Sequence, residues 1–242
     1  MKQLILILFI LLTTTLFSQS SLLMLMGDNA IPFDPETSTS MTFWAEYNVN
    51  QDVTKDANNK ITSWGSGHPI LQSDTSKSPT WAATGVIFDF EADYMRVTDA
   101  GLVQPITIYA VIKQTTWTSE HVLWCGTIAN SNLLFIQENQ VHGATPWVSI
   151  ASGAYSDPSD KLVVGTYGLV KAVYNGASSV FQIDNNTAWT GNIGTNEAGG
   201  FVLNSYSNNV WGAGIGVKCI LIYKGTPSAE DDTQIRTYLS EF

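Results

Sequence analysis

Residues 85–97, read as Gly-Val-Ile-Phe-Asp-Phe-Glu-Ala-Asp-Tyr-Met-Arg-Val, constrain the fold of this chain more than any other stretch. Two short apolar runs, 86–88 and 94–97, flank an acidic bend carrying Asp89, Glu91 and Asp93. Neither run is long enough for a helix, and both have the composition of strands. A bend of this kind lets the chain leave one sheet and enter the sheet facing it. A loop over 98–104 then leads into a longer run, Ile-Thr-Ile-Tyr-Ala-Val-Ile-Lys at 106–113, which is apolar on both faces over part of its length. That is the pattern of a strand in the middle of a sandwich.

The rest of the sequence repeats the theme. Further strand-like segments lie at 41–47, 61–64, 121–125, 133–138, 147–150, 161–174 (in two pieces, broken at 165–168), 178–183, 200–203 and 216–223, with turn residues between them. Helical periodicity is confined to the C-terminus. There Thr226, Pro227, Ser228 and the acidic run Glu230-Asp231-Asp232 mark a helix start, and Ile235, Tyr238 and Leu239 fall on one face. The fold class expected is therefore all-β, a two-sheet antiparallel jelly-roll sandwich with a short C-terminal helix. A chain of 242 residues suits one such domain.

Residues 1–20 carry Lys2, an apolar run at 4–12 and small residues at Ser18 and Ser20, the pattern of a secretory signal peptide. Residues 21–40 read as a linker and 41–242 as the domain. A leader of this kind implies a secreted or cell-surface protein. An apolar arm left in place would instead suit a subunit of a virion or other large assembly, or a homo-oligomer. Export permits a disulfide between Cys125 and Cys219, although both sit in apolar strand-like runs where a buried thiol behaves as a small hydrophobe. The net charge of -10 repels phosphate, which argues against nucleic acid and anionic membrane as partners.

Three segments resemble concanavalin A-like and laminin-G-like jelly-roll domains. The first is the strand-bend-strand at 85–97. The second is Phe43-Trp44-Ala45-Glu46-Tyr47 followed by Ile61-Thr62-Ser63-Trp64-Gly65-Ser66-Gly67, where this chain lacks the Asp that the family carries in its turn. The third is Ile220-Leu221-Ile222-Tyr223 with the closing helix. The resemblance spans 41–242 and implies the sandwich fold. It also implies a non-catalytic branch, because the glucanases of this superfamily alternate carboxylates along one strand as E-x-D-x-x-E. Here Asp89, Glu91 and Asp93 straddle a bend, where Asp side chains cap turns.

Function is therefore expected to lie in binding or adhesion, with a carbohydrate or a surface partner as ligand and no enzymatic activity. A phage spike or decoration protein is the alternative, and a glycan-cleaving enzyme a more distant one. Trp117, Trp147 and Trp189 lie in polar, turn-like surroundings and are the candidate ligand-binding residues, since a flat indole suits the apolar side of a sugar ring. The competing reading folds each of them down over a sheet edge. Trp44, Trp64 and Trp124 lie in strand patterns and read as core. No cofactor is called for. His68, His121 and His142 lack metal-ligand spacing, and calcium, common on such domains, has no D-x-D-x-D-G loop that would locate it.

Overall fold

The structure is a computed structural model and describes residues 33–46, 53–90, 92–128, 132–137, 146–156 and 160–242. The expected leader and most of the expected linker lie outside these residues. Among the described residues seventeen strands follow one another: β1 (Met41–Glu46), β2 (Thr54–Lys55), β3 (Ile61–Trp64), β4 (Ile70–Leu71), β5 (Thr80–Ala82), β6 (Gly85–Phe88), β7 (Met95–Leu102), β8 (Ile106–Gln114) and β9 (Val122–Gly126). Then come β10 (Leu134–Gln137), β11 (Trp147–Ala151), β12 (Asp160–Lys161), β13 (Gly168–Tyr174), β14 (Ser179–Ile183), β15 (Trp189–Gly191), β16 (Gly199–Leu203) and β17 (Ile215–Lys224). One helix, α1 (Ala229–Leu239), closes the chain.

The strands form two antiparallel sheets. One runs β15-β14-β13-β8-β17-β6-β5, with β1 also paired to β17; the other runs β12-β11-β10-β9-β16-β7-β4-β3-β2. The acidic bend does carry the chain from one to the other, since β6 belongs to the first sheet and β7 to the second. The break in 161–174 is a second crossing, from β12 to β13. Strand β17 shares one edge between two partners: Ile215, Gly216 and Val217 pair with β6, and Cys219 to Tyr223 pair with β1. Its other edge pairs along its whole length with β8.

Alternation sets the core. Ile106, Ile108, Ala110 and Ile112 of β8 face the second sheet and pack with Trp64, Trp124, Phe135 and Phe201, all essentially unexposed. Trp64 and Trp124 are thus core residues. Trp124 Nε1 donates to the Tyr174 hydroxyl (2.9 Å), which donates in turn to the Leu134 carbonyl (3.0 Å), so the buried polar atoms are paired. Tyr109 and Val111 point to the other face of β8, where Ile235 and Leu239 of α1 cover them together with Cys219 and Leu221. This is why β8 reads as apolar on both sides. A register shift between Val217 and Cys219 moves β17 from core-facing Val217 to helix-facing Cys219 and back to core-facing Ile220.

Ser228 and Asp231 form a capping box at the start of α1, each side chain accepting from the other's backbone N–H (3.1 and 3.3 Å). Burying Ile235 and Leu239 stabilises the docked helix by roughly 1.5–3 kcal/mol each. The two cysteines are free and buried on different sheets, Cys219 beneath α1 and Cys125 on the outer face of the second sheet. The sandwich core separates them, so they form no bridge.

Candidate functional site

Strands β6, β8, β10 and β16 end, and β7, β9, β11 and β17 begin, at one end of the sandwich. Among the described residues, Phe90 and Trp211 on these loops are two of the three exposed Phe, Tyr and Trp side chains, Tyr155 being the third. The acidic bend is built by its own side chains: Asp93, 2% exposed, accepts the Asp89 N–H on Oδ2 (3.0 Å) and faces Lys60 Nζ at 3.7 Å. Burial pushes the Asp93 carboxyl above its usual range, while that N–H and the lysine pull against it.

Asn204 staples this bend to the loop before β17. Its Nδ2 donates to the Asp93 and Asp89 carbonyls (2.8 and 3.3 Å), and its Oδ1 accepts the Gly214 N–H (3.0 Å). Residues 204–214 are further tied down by Val122 N–H to the Trp211 carbonyl (2.8 Å), Thr116 Oγ1 to the Ala213 carbonyl (2.7 Å) and Arg96 to Asn209 Oδ1 (3.1 Å).

The result is a stack of three rings. His121, only 6% exposed, lies between Phe90 (centroids 4.7 Å apart, planes at 21°) and Trp211 (5.6 Å, 25°). The outer rings remain 37% and 47% exposed. Trp211 sits in the left-handed region with φ at 64°, as do Glu120 (69°), Asn204 (62°) and Asn209 (64°). For a bulky side chain that conformation costs on the order of 1–3 kcal/mol, and such strain concentrates where function requires it. Asp89, which is exposed, precedes Phe90 in sequence, and Glu120, which is half-buried, precedes His121.

Trp117 and Trp147 occupy the same end. Trp117 Nε1 donates to the Trp147 carbonyl (3.2 Å), and Lys161 Nζ lies 4.7 Å from the Trp147 ring. A buried pair of glutamines supports them. Gln137 Nε2 donates to Gln114 Oε1 (2.5 Å) and to the Thr116 carbonyl (2.7 Å), while Gln137 Oε1 accepts the Thr118 N–H (2.9 Å). Gln114 Nε2 donates to the Leu162 carbonyl and to that of Pro146 (3.3 Å). Three loops are thereby fixed to the ends of β8 and β10 by two side chains with no exposed surface.

Trp189 is elsewhere. It lies on β15, the edge strand of the first sheet, opposite Phe181, half-buried against the core and over Gly191, where an added Cβ would approach its ring to 2.5 Å. It takes the alternative foreseen for it, closing the sheet edge. The structure thus brings Trp117 and Trp147 together and leaves Trp189 apart. Sequence reasoning missed Phe90, His121 and Trp211. Trp211 follows Ser207-Asn208-Asn209-Val210, so it meets the criterion that singles out Trp117; His121 reads in the sequence as neither a metal ligand nor the partner of a catalytic cysteine. Among the described residues no cluster of three His, Cys, Asp or Glu side chains is placed to hold a metal ion.

The fold and this end define a two-sheet β-sandwich with an aromatic loop surface. No protein-family model matches the sequence, and no curated protein matches it. Solved structures do. The chain is similar to a sialidase of Trypanosoma rangeli (10% identity, TM-score 0.56), covering 83% of this chain and 32% of that one. It is also similar to a mutant GH54 α-L-arabinofuranosidase soaked with 4-nitrophenyl α-L-arabinofuranoside (14% identity, TM-score 0.54), covering 84% of this chain and 59% of that one. An arabinofuranosidase complexed with arabinofuranosyl-α-1,2-xylobiose matches comparably (14% identity, TM-score 0.52, 83% and 58%). This chain therefore spans a third to three-fifths of the proteins it resembles, and likeness at this identity establishes the sandwich. It also corrects the expectation of a non-catalytic binding module or virion protein, and the expectation that the chain is no enzyme: the matching folds belong to glycan-cleaving enzymes.

Proposed function

We propose that this chain is a concanavalin A-like sandwich that works in glycoside cleavage, with sugar rings laid against the stack of Phe90, His121 and Trp211. The observation that carries this reading is the stack itself: two outer rings kept substantially exposed, one of them on strained backbone. Flat aromatic faces match the apolar faces of pyranoses and furanoses, and a buried partner ring holds them in place without a cost in side-chain freedom at binding. Glycoside hydrolysis calls for two carboxyl groups, one to protonate the leaving oxygen and one to act at the anomeric carbon or on a water; this reading assigns those roles to Asp89 and Glu120, the carboxylates next in sequence to Phe90 and His121. Trp117 and Trp147 extend the surface along the same end for further sugar units. The similarity to a sialidase and to arabinofuranosidases supports the ligand class, and the leader-like sequence of residues 1–20 fits export.

The test is release of reducing sugar from a panel of oligosaccharides, including arabinoxylan and sialylated glycans, by the wild-type chain and by Trp211→Ala, Asp89→Asn and Glu120→Gln. Product from the wild type, lost in all three variants with the fold intact by circular dichroism, supports the reading. No product from any glycan, or turnover unaffected by Trp211→Ala, overturns it.

A further inference from the structure

The opposite end of the sandwich holds a cleft of about 390 Å³, within the roughly 300–1,000 Å³ range of small-molecule sites. Its walls are Val103 and Gln104 after β7, Asn175 and Ala177 at the β13–β14 turn, and Thr195 and Glu197 before β16. Strands β7 and β16 run between this end and the ring stack, β7 toward the cleft and β16 away from it, so the two sites lie a strand length apart.

The cleft is pre-formed by one side chain. Gln104 Nε2 donates to Ser152 Oγ (2.9 Å) and to the carbonyls of Asn196 (3.2 Å) and Gly194 (3.3 Å), and Gln104 Oε1 accepts the Gly176 N–H (2.8 Å). All three walls are thus pinned to a single carboxamide. Next to Thr195, Gly194 (φ 88°) packs so closely on Ser152 that a Cβ would come within 2.3 Å of the Ser152 carbonyl. The Asn132 side chain bridges Asn196 and the Glu197 carbonyl (3.0 and 2.6 Å).

What this frame presents is a set of uncommitted polar groups. The side chains of Asn175, Thr195 and Glu197 make no hydrogen bond or ion pair within the described residues, although each lines the cleft. Beside them Val103 is 51% exposed, and Ala177 is exposed too. A carboxamide, a hydroxyl and a carboxylate next to a small apolar patch can donate to and accept from vicinal hydroxyls while covering a C–H face. Among the described residues no Lys, Arg or His lines the cleft, and Glu197 repels anions in a chain of net charge -10.

From this we infer that the cleft is a second saccharide site, specific for one neutral sugar residue and excluding sialic and uronic acids. Its ligand class rests on the glycan reading above, but its place does not. A site a strand length from the ring stack holds the same polymer at a second point and raises the local concentration of substrate at the first.

The test is titration of the 15N-labelled full chain with D-xylose, L-arabinose, D-galactose and D-glucose, and with N-acetylneuraminic acid as the anionic control. At least one neutral sugar is expected to shift the Gly176, Thr195 and Glu197 amides in both the wild type and Trp211→Ala. Its affinity is expected to fall by about tenfold or more in Ala177→Trp, which fills the cleft from an exposed position. Absence of cleft shifts with every neutral sugar, equal shifts with N-acetylneuraminic acid, or shifts that persist in Ala177→Trp overturn the inference. Shifts at the cleft with none at Phe90, His121 or Trp211 leave it standing and remove the ring-stack reading instead.

Discussion

Replacing Gln137 with leucine keeps the side chain's bulk and removes the carboxamide that joins the Trp117 loop to the end of β10. Three hydrogen bonds go at once: to Gln114 Oε1, to the Thr116 carbonyl and from the Thr118 N–H. At about 0.5–1.5 kcal/mol net for each, the loss comes to about 1.5–4.5 kcal/mol. The upper part of that range is expected because Gln137 and Gln114 have no exposed surface, so the abandoned groups cannot turn to water. Against a total stability on the order of 5–15 kcal/mol, the change is large enough to read as a lower urea midpoint at unchanged slope. Gln114→Leu provides the second corner of a double-mutant cycle. The two glutamines bond each other, so the double variant should be less damaged than the sum of the singles, with a coupling of at least about 0.5 kcal/mol. A loss below about 1 kcal/mol for Gln137→Leu, or singles that add without coupling, would refute the claim that this pair supports the aromatic end.

Trp211→Gly relieves the left-handed strain while removing the ring, two effects of similar size and opposite sign, so stability should move by less than about 1 kcal/mol while glycan turnover is lost. Asp232 is pushed up by burial, but Lys171 Nζ at 2.8 Å, the Tyr109 hydroxyl and Arg236 outweigh that and hold its carboxyl below the usual range. Its contribution is thus complete above the unfolded-state value of about 3.9 and is lost as pH falls through the lower folded value. Denaturation curves of Asp232→Asn and wild type should differ most near neutrality and converge in strong acid; a gap independent of pH contradicts this. Burial pushes the Cys125 thiol up to about 12 and the Cys219 thiol well above its ordinary value, so both should resist a disulfide reagent in native buffer and react only on unfolding. Rapid native labelling of either would show that its face of the sandwich is open.

The legible parts of this fold are those governed by neighbouring residues. The bend at 89–93 announces itself through Asp side chains that cap their own turn, and α1 through Pro227, Ser228 and three acidic residues within the first turn. The doubly apolar pattern of β8 marks it as a central strand of the sandwich, as observed, but does not show that α1 covers its outer face. Two-residue strands such as β2, β4 and β12 are too short to show a period, and β7 runs on to Leu102 through residues expected to be loop. The ring stack was illegible for a different reason. Phe90, His121 and Trp211 come from three separate loops, and their meeting depends on strand register and on the Asn204 staple. Phe90 and His121 look unremarkable within their own segments; Trp211 stands out in its polar run, but only the assembled end of the sandwich brings the three together.

The position of β17 has a bearing on how such a chain is made. This strand lies between β8 on one side and β6 with β1 on the other, yet it comes after the sixteen other strands of the described residues in sequence. Until it emerges from the ribosome, the first sheet has a gap at its centre, bordered by three strands whose backbone groups face no partner. Nascent chains halted before Ile215 should therefore stick to chaperones and to one another, and the sandwich should lock only when the last strand slides in.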